Sequence, residues 1–182
     1  MKILVSKGFT MIEIVIVIFI TGIIGSMAAS LLYQGADIYV DETNRQGFVS
    51  ESRSAFWRLM RETQGQRSSE DFDQSGQGIF NLKNAHNIPK VFRISSNEFE
   101  FSLDGSSYSY LSKDLFSNNF YFYDNIFSDM TPSSSGSLGN SDAKRVHLTK
   151  LKLTFQKGSD AFSLSSYVYP INFRFGKKMS YH

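Results

Sequence analysis

The titratable side chain whose position most needs explaining is Glu13. It stands at the head of an apolar run, and 23 residues without a formal charge separate it from Asp37. An acid inside a membrane-spanning helix costs roughly 2.5–3.5 kcal/mol at the bilayer centre on insertion scales and usually has a partner. A local partner exists, because Thr10 and Glu13 have the S/T-x-x-E spacing of a capping box, where the helix dipole also favours a carboxylate. The other side chains with chemical potential are scattered. His86, His147 and His182 lie far apart, without H-x-x-H or H-E-x-x-H spacing. There is no G-x-S-x-G elbow, no G-x-x-x-x-G-K and no G-x-G-x-x-G, so neither nucleophilic nor phosphate chemistry has a seat. Glu98 and Glu100 flank Phe99 in plain alternation, which predicts a solvated strand face for both. Asp124, Asp129 and Asp142 lack the ligand spacing of a calcium loop. Cysteine is absent, which excludes disulfides, zinc-thiolate sites and a thiol nucleophile. The expectation is a protein that is not an enzyme, with no catalytic, cofactor-binding or metal site.

The element that must position Glu13 is the run that follows it. About 20 apolar residues cross the hydrocarbon core as a helix, so the stretch beginning IVIVIFITGIIGSMAASLL can span a membrane. Lys2 and Lys7 precede it, and the first charges after it are Asp37, Asp41 and Glu42, so the positive-inside bias keeps the N-terminus cytoplasmic and exports the rest. A secretory signal would place its cleavage site after the run, and Met27-Ala28-Ala29 offers one. Against it stands Lys7-Gly8-Phe9-Thr10-Met11-Ile12-Glu13, a junction lying before the run. This string resembles the class III signal of type IV prepilins. The resemblance implies that prepilin peptidase cuts between Gly8 and Phe9, that the new amine of Phe9 is N-methylated, and that Glu13 becomes the fifth residue of the mature chain. It also implies a role for Glu13 in subunit assembly, where its carboxylate neutralises the Phe9 amine of a neighbouring subunit in a low-dielectric helix bundle. The implied partners are prepilin peptidase, other pilins or pseudopilins, the inner-membrane pilus assembly platform and membrane lipid. The implied location is the bacterial inner membrane, then a periplasmic or surface filament.

A helical pattern continues past the span, with no proline before Pro89. Val49, Ser52, Ala55, Phe56, Leu59, Met60 and Thr63 recur at three- and four-residue spacing, while Ser50, Glu51, Arg53, Ser54, Arg58, Arg61 and Glu62 hold the other face. Asp41 with Arg45 and Arg58 with Glu62 have i,i+4 ion-pair spacing. The polar GQRSSEDFDQSGQG that follows is a loop, and the chain's 17 Phe and 9 Tyr favour strands beyond it. Strands are expected at Ile79 to Leu82, Lys90 to Ile94, Glu98 to Leu103, Ser107 to Leu111, Asn119 to Tyr123, Arg145 to Gln156, Ala161 to Val168 and Ile171 to Phe175. Asp104-Gly105 is the expected type I′ hairpin turn. A bulge near Thr149 and Lys150 would reconcile even-numbered Val146 and Leu148 with odd-numbered Leu151, Leu153 and Phe155.

The fold class is therefore α+β. A long N-terminal helix, its first half transmembrane and its second half amphipathic, packs on an antiparallel β-sheet domain, as in the pilin fold the resemblance implies. The divisions are a leader at 1–8, a transmembrane and assembly helix at 9–36, the amphipathic half at 37–64 and the sheet domain at 65–182. The stretch Tyr39-Val40-Asp41, with Arg45, Arg53, Ala55, Arg58, Arg61 and Glu62, resembles minor components of MSHA-type pili and J-type pseudopilins of type II secretion. The missing disulfide pair, and Ser30 near the place where many major pilins have proline, likewise imply a minor pilin or pseudopilin, a structural or assembly-priming subunit. Alternatives are a signal-anchored extracytoplasmic binding module that keeps Met1 to Gly8, and a DNA-uptake or adhesive tip pilin, for which the polar loop from Ser128 to Ala143 is a place for specificity. From Phe9 onward 17 bases face 17 acids, so net charge gives no footprint for nucleic acid.

Overall fold

The computed structural model describes residues 10–172, so the expectations for Gly8, Phe9 and residues 173–175 fall outside it. The chain forms two compact units, Met1–Gln46 and Gly47–His182. Helix α1, Met11–Gln64, begins in the first and ends in the second. In the first unit every described residue is exposed. In the second, α1 buries Phe48, Ser52, Ala55, Phe56, Leu59 and Thr63, with Val49 and Met60 half-buried. That is the expected stripe, extended by one residue to Phe48. Arg58 does not find Glu62 as its spacing predicts. Its guanidinium lies 4.1 Å from the centre of the Phe101 ring, while the Glu62 carboxylate bonds Lys90 and lies 3.7 Å from Arg61. Both exchange a weak exposed pair for a partner in the sheet.

Seven strands follow: β1 Ile79–Lys83, β2 Pro89–Ser95, β3 Glu98–Ser102, β4 Ser109–Ser112, β5 Leu115–Tyr123, β6 Leu148–Lys157 and β7 Asp160–Val168. A short helix α2, Asn140–Ala143, sits between β5 and β6. The strands form two antiparallel sheets, ordered β1-β2-β3-β4 and β5-β6-β7. The expected final strand is not formed at its start, where Ile171 and Asn172 lie in a 3-10 turn. Phenylalanines from both sheets build one core. The Phe80 ring of β1 lies 5.0 Å from Phe120 and 5.7 Å from Phe122 of β5, and Phe48 of α1 meets Phe162 of β7 edge to face at 5.4 Å. Each buried ring contributes about 1.5–3 kcal/mol of transfer free energy.

Three local expectations are corrected. The type I′ geometry occurs between β2 and β3, where Ser96 and Asn97 both take positive φ, 49° and 68°, between the paired residues Ser95 and Glu98. At Asp104-Gly105 only Gly105 has positive φ, and the wider loop is held by Asp104 Oδ1, which accepts from Ser106 N and Ser107 N at 2.9 Å. The bulge at Thr149 and Lys150 is absent. β6 pairs without interruption from Leu148 to Thr154, and its buried face is odd-numbered from Thr149 to Phe155. Val146 is buried ahead of the strand, so the apparent change of phase marks a strand start; the register shift lies on β5 between Leu115 and Ser117. Glu100 is buried, not solvated. It accepts from Arg93 Nε at 2.7 Å, and the same guanidinium lies 3.8 Å from the centre of the Tyr108 ring. The loop after β3 thus covers a face that alternation assigns to water.

The two sheets are joined at their edges as well as through the core. Gln77 Nε2 donates to Phe120 O at 2.8 Å and its Oε1 accepts from Phe120 N at 2.9 Å, so one side chain stands in for a neighbouring strand. Phe122 continues the pattern, its N donating to Thr131 Oγ1 and its O accepting from Met130 N. The outer edge of β1 is closed too. Ile79 O accepts from Gly76 N, Asn81 N donates to Ser75 Oγ, and Lys83 bonds Gln66 Oε1 through its N and Arg67 N through its O.

Candidate functional site at the helix N-terminus

Glu13 and Thr10 form the reciprocal bonds their spacing predicts. Thr10 N and Thr10 Oγ1 each donate to Glu13 Oε2 at 2.8 Å, and Glu13 N donates to Thr10 Oγ1 at 3.4 Å. Two donors at the helix start are thereby satisfied, as a capping box requires. One carboxylate oxygen carries the cap, and the other, Oε1, receives no donor among the described residues. The remaining expected site residues, Gly8 and Phe9, precede the described chain, so their geometry is not part of this cluster.

Behind the cap, α1 presents apolar side chains on every side. Ile12, Val15, Ile18, Phe19, Ile24, Met27 and Leu31 are all exposed, and an 18-residue window reaches a mean hydropathy of 2.5. The hydroxyls in this stretch are satisfied within the helix, Thr21 Oγ1 donating to Val17 O at 2.6 Å and Ser26 Oγ to Ile23 O at 2.8 Å. Gly22 and Gly25 have no atom within 4 Å of where a Cβ would stand. An unbroken apolar cylinder with internally bonded polar groups can reside in lipid or among like helices, and not in water.

Among the described residues the second unit has no comparable cluster for chemistry. Among the described residues no group of three or more His, Asp or Glu gathers where it could hold a metal ion. The Asp124 carboxylate, considered for calcium, is taken up by protein donors: Ile126 N and Ser128 N at Oδ1 and Arg145 Nη2 at Oδ2. Burial works against its ionised form, but those hydrogen bonds outweigh it and hold the acid below the usual aspartate range. A cavity of about 730 Å³ lies beside the end of α1, lined among others by Trp57, Arg58, Arg61 and Tyr110, without an acid and base poised at one point.

A family model described as the prokaryotic N-terminal methylation motif matches residues 5–29. It begins ahead of the Gly8–Phe9 junction and includes Thr10, Glu13 and the apolar start of α1. The chain has a type IV prepilin-like N-terminus. Comparison with curated proteins and with solved structures gave no match. The prepilin-like motif implies processing by prepilin peptidase and assembly with other pilins, and it indicates a structural protein rather than a catalyst. The apolar helix attached to it accords with a membrane-anchored, pilin-like chain.

Proposed function

We propose that this protein is a minor pilin or pseudopilin, a structural or assembly-priming subunit of a type IV pilus or a related type II secretion filament. Prepilin peptidase removes residues 1–8 at the Gly8–Phe9 bond, and the amine of Phe9 is methylated. Residues 9–36 then serve as membrane anchor and assembly helix, 37–64 as the helix portion leading into the sheet domain, and 65–182 as the exported remainder. The observation that carries this reading is an acid capping an otherwise apolar helix inside a methylation motif. The uncommitted Oε1 of Glu13 supports its second role, since the cap and a neighbour's Phe9 amine can engage different oxygens of one carboxylate.

Intact-mass measurement of the protein extracted from membranes tests the reading. The expected mass lacks Met1 to Gly8 and carries one added methyl group. A chain beginning at Met1 fits a signal-anchored module instead, and one beginning beyond Ala29 fits ordinary secretion. Gly8→Val should block processing more than Gly8→Ala, because the family's peptidase needs a small residue at the cut. Equal processing of both variants and the parent would show that Gly8 is not read.

A further inference from the structure

We propose that the outer edge of β7 accepts an extended polypeptide segment from an adjoining filament subunit, which joins the β5-β6-β7 sheet as a further strand; this rests on the filament reading above. A strand at a sheet edge presents unpaired N–H and C=O groups, and native proteins blunt such edges with charge, proline, bulges, short length or a cover. The other edges here use these devices. β1 is covered by Gln66, Arg67, Ser75 and Gly76, and β5 by Gln77, Met130 and Thr131. β4 has only four residues and a register shift against β3. Among the described residues β7 uses none of them. It runs for nine residues, pairs with β6 without a shift from Asp160 to Val168, and has neither a charge nor a proline from Ala161 to Val168. Among the described residues no backbone group of another segment bonds the far side of Ala161 to Val168, and the one side-chain bond there is local, from Ser166 Oγ to Tyr167 O at 3.4 Å.

The edge itself specifies the chemistry of the occupant. A row of alternating backbone donors and acceptors is satisfied by another extended backbone and by little else, the mode known as β-augmentation. The uncharged flank, with Ala161, Ser163, Ser165 and Tyr167 on the exposed face and Phe162 and Leu164 half-buried, fits an uncharged segment of alternating polar and apolar residues. A second copy pairing β7 with β7 in antiparallel fashion would need a two-fold axis. Subunits entering a filament with one polarity are related head to tail, so the donor is a different segment on the neighbour.

Amide hydrogen exchange on the full-length processed protein, extracted in detergent and in sheared fibres, tests this. The expected result is that alternate amides of Ala161 to Val168 exchange at least roughly tenfold more slowly in fibres. A paired variant, Ala161→Lys with Ser165→Lys, should lower recovery in fibres by a similar factor while membrane level and circular dichroism stay unchanged, and Ser109→Lys on β4 should not. Equal exchange in both states, with the chain recovered in fibres, would overturn the edge proposal and leave the filament reading standing. Slow exchange already present in the extracted protein would also overturn it, because the edge would then be filled from within the chain. Absence of the native chain from fibres would overturn both. If the paired variant fails to fold, exchange in the unaltered protein decides.

Discussion

At Glu13 the cap and the proposed assembly role make different demands on one carboxylate. Gln serves a capping box nearly as well as Glu, so Glu13→Gln should keep the bonds from Thr10 and leave insertion and cleavage intact. It removes the counter-charge for a neighbour's amine, so recovery in sheared fibres should fall at native expression level. Normal recovery would remove the pairing role, and lost cleavage would assign the acid to peptidase recognition instead. Asp124 offers a pH test in the sheet domain. Its pKa is lowered on folding, so its contribution to stability is fully present above the unfolded aspartate value of about 3.9 and is lost as pH falls through the lower folded value. Asp124→Asn should therefore lower the melting temperature at neutral pH, with the gap to the parent closing as pH drops below about 4. A gap independent of pH would place the effect in packing rather than charge.

Between the elements, the described glycine with the least room is Gly76, bridged to Ser137, where a Cβ on residue 76 would collide with the carbonyl oxygen of Gly136. Gly76→Ala must push backbone apart and should cost about 1–3 kcal/mol in chemical denaturation; Gly78→Ala, with nothing within 4 Å, is the control. Most elements were legible because their periods are clean: the stripe on α1 and the alternation in β1, β6 and β7 each point to one buried face, whereas β3 is buried on both. The turns were less so. Ser96 and Asn97 lack the glycine that flags a type I′ turn, whereas Asp104-Gly105 has it and forms a wider loop, because its aspartate bonds serine amides beyond the glycine. The division into two sheets was not legible at all, since it depends on long-range bonds such as Gln77 to Phe120. In the candidate site, Thr10 and Glu13 could be read from spacing because a cap is local. The outer edge of β7 could not, because edge status is a property of topology.

Over the whole chain, the division at Gln46 and Gly47 separates a stretch of α1 with no buried residue among those described from a domain that carries the core. Removing residues 1–35 should therefore yield a soluble, cooperatively unfolding domain. Removing residues 1–65 also deletes Phe48, Ala55, Phe56 and Leu59, exposing the phenylalanine faces they cover, and should give aggregation in size-exclusion chromatography. Cooperative unfolding of the shorter piece would contradict the architecture. The contact between Phe48 and Phe162 has a further consequence for biogenesis. The first core residue of α1 waits for the last strand, and Asn172 Nδ2 reaches back to Gln66 O at 3.0 Å across a separation of 106 residues. A chain emerging N-terminus first cannot close this domain until nearly all of it has been made. Under the proposed filament role, such a chain would stay threadable through a narrow translocation channel while its anchor is already seated, with folding deferred to the far side of the membrane by the order of its contacts.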